Sequence, residues 1–225
     1  MVPTASPSVR PRLAPVPAAP SEGETVAAET WSSLINLAGR QRMLSQRIAL
    51  MALLADRGDR SARSAARDAL QQFSTAHERL ARGGDGLPAP PAESLRDAFF
   101  GREGADPAVR RFITLARQVL EAEPGPDREA LTTLVVQATP MLTLLSHLTQ
   151  AYETQARASA QRAQQRHASL ISSIERVAGE ARIVAMNARI AAARAGDGGR
   201  EFGVVAARLV EVSSQIESLS HAAMK

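Results

Sequence analysis

Cysteine is absent from this chain, which excludes a disulfide framework, a thiolate metal centre and cysteine nucleophilic chemistry together. Aromatic residues are nearly as scarce, with one Trp, one Tyr and five Phe among 225 residues. A sheet core leans on aromatic and β-branched side chains, so this poverty, beside abundant Ala, Leu, Arg and Gln, points to an all-α chain. Lysine is reduced to Lys225, and the other 26 basic residues are arginine. The net charge of +4 is spread along the chain rather than gathered on one face, so no nucleic-acid partner is expected. The longest unbroken apolar run, Ile48 to Ala55, falls well short of the roughly 20 residues that cross a bilayer. The N-terminus has no basic segment followed by an apolar one. These two features lead us to expect no membrane span and a cytoplasmic location.

Composition divides the chain. Pro3, Pro7, Pro11, Pro15, Pro17 and Pro20 lie among Ala, Ser and Val, so residues 1–22 read as a disordered tail. Beyond it the period is helical. Leu34, Leu37, Gln41, Leu44, Ile48 and Met51 alternate three- and four-residue steps, and Gly58-Asp59 ends the run. A second helix is expected over about 61–82, closed by Gly83-Gly84. A third region, about 93–123, breaks at Gly101–Gly104 and restarts with Asp106 as N-cap and Pro107 inside it. Pro124-Gly125-Pro126 ends that region, and Asp127 caps a fourth helix with no strong stop before Gly196. Pro140 lies inside this fourth helix and is expected to kink it.

The last seventy residues have the cleanest pattern. Leu170, Ile174, Val177, Ala181, Val184, Ala188, Ala191 and Ala195 alternate in four-three steps, and Phe202, Val205, Leu209, Val212, Ile216 and Leu219 resume after the Gly196–Gly199 turn. This is an antiparallel coiled-coil hairpin. Two arms leave part of such a seam uncovered, so a homodimer forming a four-helix coiled coil is expected.

Few residues suggest chemistry. His77, His147, His167 and His221 share no motif and have no carboxylate at ligand spacing, so they read as surface or packing residues, with no metal and no cofactor. Gly196–Gly199 is not followed by the Gly-Lys-Ser/Thr of a phosphate loop, and no nucleophile motif flanks a histidine. The chain reads as a non-enzyme.

Two stretches carry resemblances. Met186-Asn187-Ala188-Arg189-Ile190-Ala191-Ala192-Ala193-Arg194-Ala195-Gly196-Asp197-Gly198-Gly199-Arg200-Glu201-Phe202-Gly203-Val204-Val205-Ala206 resembles the cytoplasmic signalling tip of methyl-accepting chemotaxis receptors. Departures from that pattern are Ala191 where the family has Glu, Glu201 where it has Gly, and Glu180-Ala181-Arg182 where it has Gln-Thr-Asn. The resemblance implies docking of the chemotaxis histidine kinase and its coupling protein through Asn187, Arg194, Asp197, Arg200, Phe202 and Val204. Gly196, Gly198 and Gly199 would permit the reversal.

The other stretch is Ile35-Asn36-Leu37-Ala38-Gly39-Arg40-Gln41-Arg42-Met43-Leu44-Ser45-Gln46-Arg47-Ile48-Ala49. It looks like the opening helix of the sensory domain in type IV pilus chemotransducers and, less closely, the ligand box of nitrate/nitrite sensor kinases. That resemblance implies a four-helix sensory bundle over residues 23–155, with nitrate or nitrite held between two subunits by arginines of this helix. Arg47 comes first, then Arg42 and Arg40, with Gly39, Met43 and Asn36 around them. Arg40 and Arg47 are seven residues apart and share a face with Met43, Leu50 and Leu54, so Arg47 reads as a cation in apolar surroundings that a planar oxyanion would satisfy.

The expected molecule is therefore a four-helix sensory bundle whose long fourth helix continues into a signalling hairpin at 156–225, with its turn at 196–199. Its expected role is chemoreceptor-like oxyanion sensing. Two rivals stand beside it: a nitrate-responsive regulator acting through a non-chemotaxis partner, and a structural coiled-coil oligomer.

Overall fold

A computed structural model of the chain describes residues 26–102, 104–122 and 128–223. The expected tail, its boundary at residue 22, and the Pro124–Asp127 stop and cap lie outside the described residues. Among the described residues six α-helices follow in order: α1 (Ala28–Asp56), α2 (Arg60–Arg82), α3 (Glu93–Phe100), α4 (Ala105–Glu121), α5 (Glu129–Arg194) and α6 (Arg200–Ala223). No strand occurs among the described residues, and the all-α expectation holds. The chain divides into two compact units, one ending at Arg157 and the other beginning at Ala158.

The first unit is a bundle of α1, α2, α4 and the N-terminal part of α5. Its boundaries follow local chemistry. α1 stops where Gly58 takes a left-handed φ of 97°, and Asp59 then caps α2 by accepting from the Ala62 N–H at 3.1 Å. Gly83 ends α2 with a φ of 80°, and glycine is needed there because a Cβ would press into the backbone of Leu87 to Ala89. The apolar stripes meet in two layers. One gathers Leu44, Ile48, Phe73, Phe112, Leu134 and Leu145; the other gathers Trp31, Leu34, Leu80, Phe99, Leu148 and Tyr152. Tyr152 is fully buried and donates its hydroxyl to the Leu80 carbonyl at 3.2 Å, and burial pushes its pKa up.

The expected N-cap at Asp106 is corrected by two residues. Gly104 occupies the N-cap position of α4, and Asp106 lies inside the first turn with its carboxylate directed at other helices. Gly104 is required there, since a Cβ would collide with the Phe99 carbonyl.

α5 also changes the membrane argument. Residues 130–152 contain no Asp, Glu, Lys or Arg. An 18-residue window of α5 reaches a mean hydropathy of 1.3, so by length and composition this helix is apolar enough to cross a membrane. Counting unbroken runs missed this because Thr, Gln and Pro interrupt the apolar residues. Leu131, Leu134, Ala138, Met141, Leu145 and Leu148 are buried in the bundle, as expected of a core helix.

The second unit is the hairpin of α5 and α6, turned through a short 3-10 segment, Gly196–Gly199. Its arms meet one residue away from the expected seam. Ile171, Ala178, Ala185 and Ala192 are buried against Ala206, Ser213 and Ser220. Small side chains let the arms approach closely, and the bulky residues one step earlier in each heptad point outward. Leu170, Val177, Val184, Val205, Val212 and Leu219 are all exposed. Gly196 supplies a φ of 63° for the reversal, and Gly199 sits where a Cβ would run into the Ala192 carbonyl. Gly198 has open space around it and no left-handed φ, so the reversal does not depend on it.

Candidate functional site

The face of α1 that carries the arginines is opposite its core face. Leu34, Ala38, Gln41, Leu44, Ser45, Ile48 and Ala52 are buried, while Asn36, Arg40, Met43, Arg47 and Leu50 are exposed. Polar residues of the signature divide between holding the bundle and facing outward. Gln41 is fully buried and its amide reaches the Phe73 carbonyl of α2 at 3.5 Å. Gln46 donates to the Ala138 carbonyl of α5 at 2.9 Å. Arg40 donates to the Gln72 side chain of α2 at 2.7 Å. Each ties α1 to a neighbouring helix.

Arg47 has no such tie. It is exposed and makes no hydrogen bond or ion pair with any described residue. Met43, 56% exposed, and Leu50, 53% exposed, flank it on the same stripe. In the single chain it therefore stands among apolar side chains without being buried by them, and any burial has to come from a second molecule. Arg42 is half-buried and about 140° round the helix from Arg47, so the structure does not bring these two together. Its guanidinium instead lies close to Gly39, with Nη2 3.7 Å from where a Cβ would stand.

At the hairpin, Asn187, Arg194, Asp197, Arg200, Phe202 and Val204 are all exposed. Phe202 is 74% and Val204 71% exposed, unusual for large apolar side chains without a covering surface. Arg194, Asp197, Arg200 and Phe202 cluster around the turn, and Arg200 approaches Asp197 at 4.0 Å. Asn187 lies one heptad before Arg194, about 10 Å further along α5. A cavity of about 390 Å³ beside the turn is lined by Met186, Ile190, Arg189, Gly199, Arg200 and Gly203.

One cluster went unread in the sequence. His77 of α2 is fully buried and donates from Nε2 to the Asp106 carboxylate of α4 at 2.8 Å. That bond fixes the tautomer and leaves Nδ1 buried without a partner. Arg110 donates from Nε to the same carboxylate at 2.9 Å and from Nη2 to Glu78 at 2.8 Å. Burial, opposed by the Asp106 bond, leaves the His77 pKa below its ordinary value. For Asp106, burial pushes the pKa up, but the bonds from Arg110 and His77 outweigh it and the net shift is downward. The cluster is a neutral histidine held by an ionised carboxylate, and it clamps α2 to α4. The sequence reads His77 only as a surface or packing residue, and its partner is separated by twenty-nine residues. Among the described residues, no group of three or more His, Asp or Glu could hold a metal.

With this geometry in view, the comparison with protein families takes a definite meaning. Residues 27–131 match the model of PilJ, the type IV pili methyl-accepting chemotaxis transducer N-terminal family. The matched segment is just under half of the chain and covers α1 to α4 and the first residues of α5. That family consists of signal transducers rather than catalysts. The hairpin lies outside the match. No curated protein matches the chain, and no solved structure does.

Proposed function

We propose that the chain is a chemoreceptor-like signal transducer in which the outer face of α1 binds a small oxyanion, nitrate or nitrite, between two copies. The observation that carries this reading is Arg47: a cation without a partner among the described residues, set between exposed Met43 and Leu50, in a segment similar to a transducer's N-terminal domain. Two such faces brought together would place like charges in apolar surroundings, which is unfavourable until an anion lies between them. A planar oxyanion offers acceptors to both guanidinium forks. Ligand would thus favour the paired state by removing a repulsion. Arg40 contributes less, because it already serves Gln72, and Arg42 lies off the shared face.

α5 runs as one helix from Glu129 to Arg194, so the same element carries bundle core residues and one arm of the hairpin. The uncovered Leu170, Val177, Val205 and Val212 stripe supports pairing of hairpins into a four-helix coiled coil. The exposed Arg194, Arg200 and Phe202 would then be free to meet the chemotaxis histidine kinase or its coupling protein. The proposed setting is the cytoplasm.

Calorimetric titration with nitrate and nitrite tests the ligand. Heat is expected for the wild type and none for Arg47→Ala. Silence from the wild type, or equal affinity in the variant, removes the oxyanion reading. Retention of the coupling protein by the wild type and its loss in Arg194→Ala tests the output.

A further inference from the structure

A second cavity, an open cleft, lies at the surface of the bundle, away from the α1 face. It opens between α4 and α5, has a volume of about 420 Å³, and falls in the size range of small-molecule sites. Its walls are mostly apolar, with Phe112, Leu115, Met141 and Leu144 prominent among them. Among the described residues, Arg111 is the only charged one lining it, and no carboxylate does. Arg111 is exposed and forms no ion pair or hydrogen bond with any described residue. Its neighbour in sequence, Arg110, is by contrast fully engaged by Asp106 and Glu78. Of the two other polar residues in the wall, Thr133 donates its hydroxyl to the Glu129 carbonyl at 2.8 Å. Gln137 lines the cavity and has no partner among the described residues, so its amide can donate.

An apolar cleft with one unpaired guanidinium and one free amide at its wall selects a particular chemistry. We propose that the α4–α5 cavity binds a small amphipathic monocarboxylate. Its apolar body lies against Phe112, Leu115, Met141 and Leu144, and its carboxylate accepts from Arg111 and Gln137. A neutral amphiphile would leave the guanidinium unanswered, and a bare inorganic anion would leave the apolar walls in contact with water. Pro140 also lines the cleft. Lacking an N–H, it cannot serve as helical donor to the Val136 carbonyl, so the α5 backbone here is less tied than elsewhere in the bundle. Ligand held by both helices would bridge α4 to the helix that continues into the hairpin.

The test titrates octanoate into the full chain by calorimetry, with octanol and nitrate as comparison ligands. Octanoate is expected to bind once per chain, and octanol at least about tenfold more weakly, since a bond to a charged group accounts for that much. Arg111→Gln should weaken octanoate by a similar factor. Ala108→Phe, which fills the cavity from its α4 wall, should abolish binding while the far-UV circular dichroism stays helical. Arg47→Ala should leave octanoate binding unchanged, and saturating nitrate should not compete, which separates this site from the α1 face. No binding to the wild type overturns the proposal. So does equal binding by Arg111→Gln or multiple equivalents per chain, either of which would mark adsorption to the exposed hairpin stripe.

Discussion

Removing the Asp106 carboxylate should destabilise the bundle by an amount the geometry sets. In Asp106→Ala, the His77 Nε2–H loses its acceptor in a side chain with no exposed surface, whose Nδ1 already lacks a partner. An orphaned buried polar group costs about 1–3 kcal/mol. Arg110 loses its bond as well, but its side chain is 41% exposed, so this second loss adds less than about 1 kcal/mol. Together they amount to about 1–4 kcal/mol, which in a unit of this size lowers the melting temperature by about 3–15 °C. Asp106→Asn keeps an acceptor oxygen for His77 and should cost under about 1 kcal/mol. Urea denaturation at pH 7.5, followed by circular dichroism, measures both variants. A value for Asp106→Ala within about 0.5 kcal/mol of wild type would refute the reasoning, because surface substitutions alone have effects that small. Equal losses in the two variants would place the effect in the charge rather than in the hydrogen bond.

The same cluster sets a pH dependence. His77 has a lowered pKa in the folded chain, so the unfolded chain binds the extra proton, and stability should fall as pH drops below about 6.5. Asp106, also lowered, should contribute stability above about pH 3.9 that is lost on further acidification. His77→Gln should flatten the first decline, which pH-stepped thermal melts would register. Gly199→Ala should destabilise the hairpin by about 1–3 kcal/mol through overlap with the Ala192 carbonyl, whereas Gly198→Ala should be near neutral. Hydrogen exchange over 158–223 would separate the two. Val177→Glu combined with Val212→Glu alters side chains that are exposed in the single chain, so monomer stability should hold while the mass by light scattering halves. An unchanged mass would show that these residues do not form the pairing surface.

What was legible in the sequence depended on whether the cause was local. The helix ends at Gly58-Asp59 and Gly83 follow from backbone conformation and a side-chain cap within three residues, and both were readable. The period of α1 also gave its buried face, Gln41 included. The His77–Asp106 bond was not readable, because it joins helices separated by a loop and a short extra helix, and Asp106 beside Pro107 has the look of a cap. The hairpin seam erred by one position for a different reason. Hydrophobicity marks the bulky residues, but the contact that the chain makes with itself is set by how closely two backbones approach, and Ala178, Ala185, Ser213 and Ser220 are the residues that allow it.

The candidate site shows the same division within one helix. The sequence ranks Arg47 first, then Arg42 and Arg40, but it does not show which of the three already has a partner within the chain. Packing separates them. Arg40 answers Gln72, Arg42 lies over Gly39 on another side of the helix, and of the two arginines on the outward stripe Arg47 is the one without a partner among the described residues. Stability and binding therefore make opposite demands on chemically identical groups. An arginine that ties α1 to α2 is already committed to a partner within the chain, so its removal should register mainly in the melting temperature. An arginine left unpaired contributes little to the isolated bundle, and its removal should register only when a ligand or second chain is present. Comparing Arg40→Ala with Arg47→Ala in both measurements turns that contrast into a test. A crossed pattern, with Arg47→Ala lowering stability in the absence of anion and Arg40→Ala leaving it unchanged, would mean that the outward face has a structural duty and that the ligand assignment is misplaced.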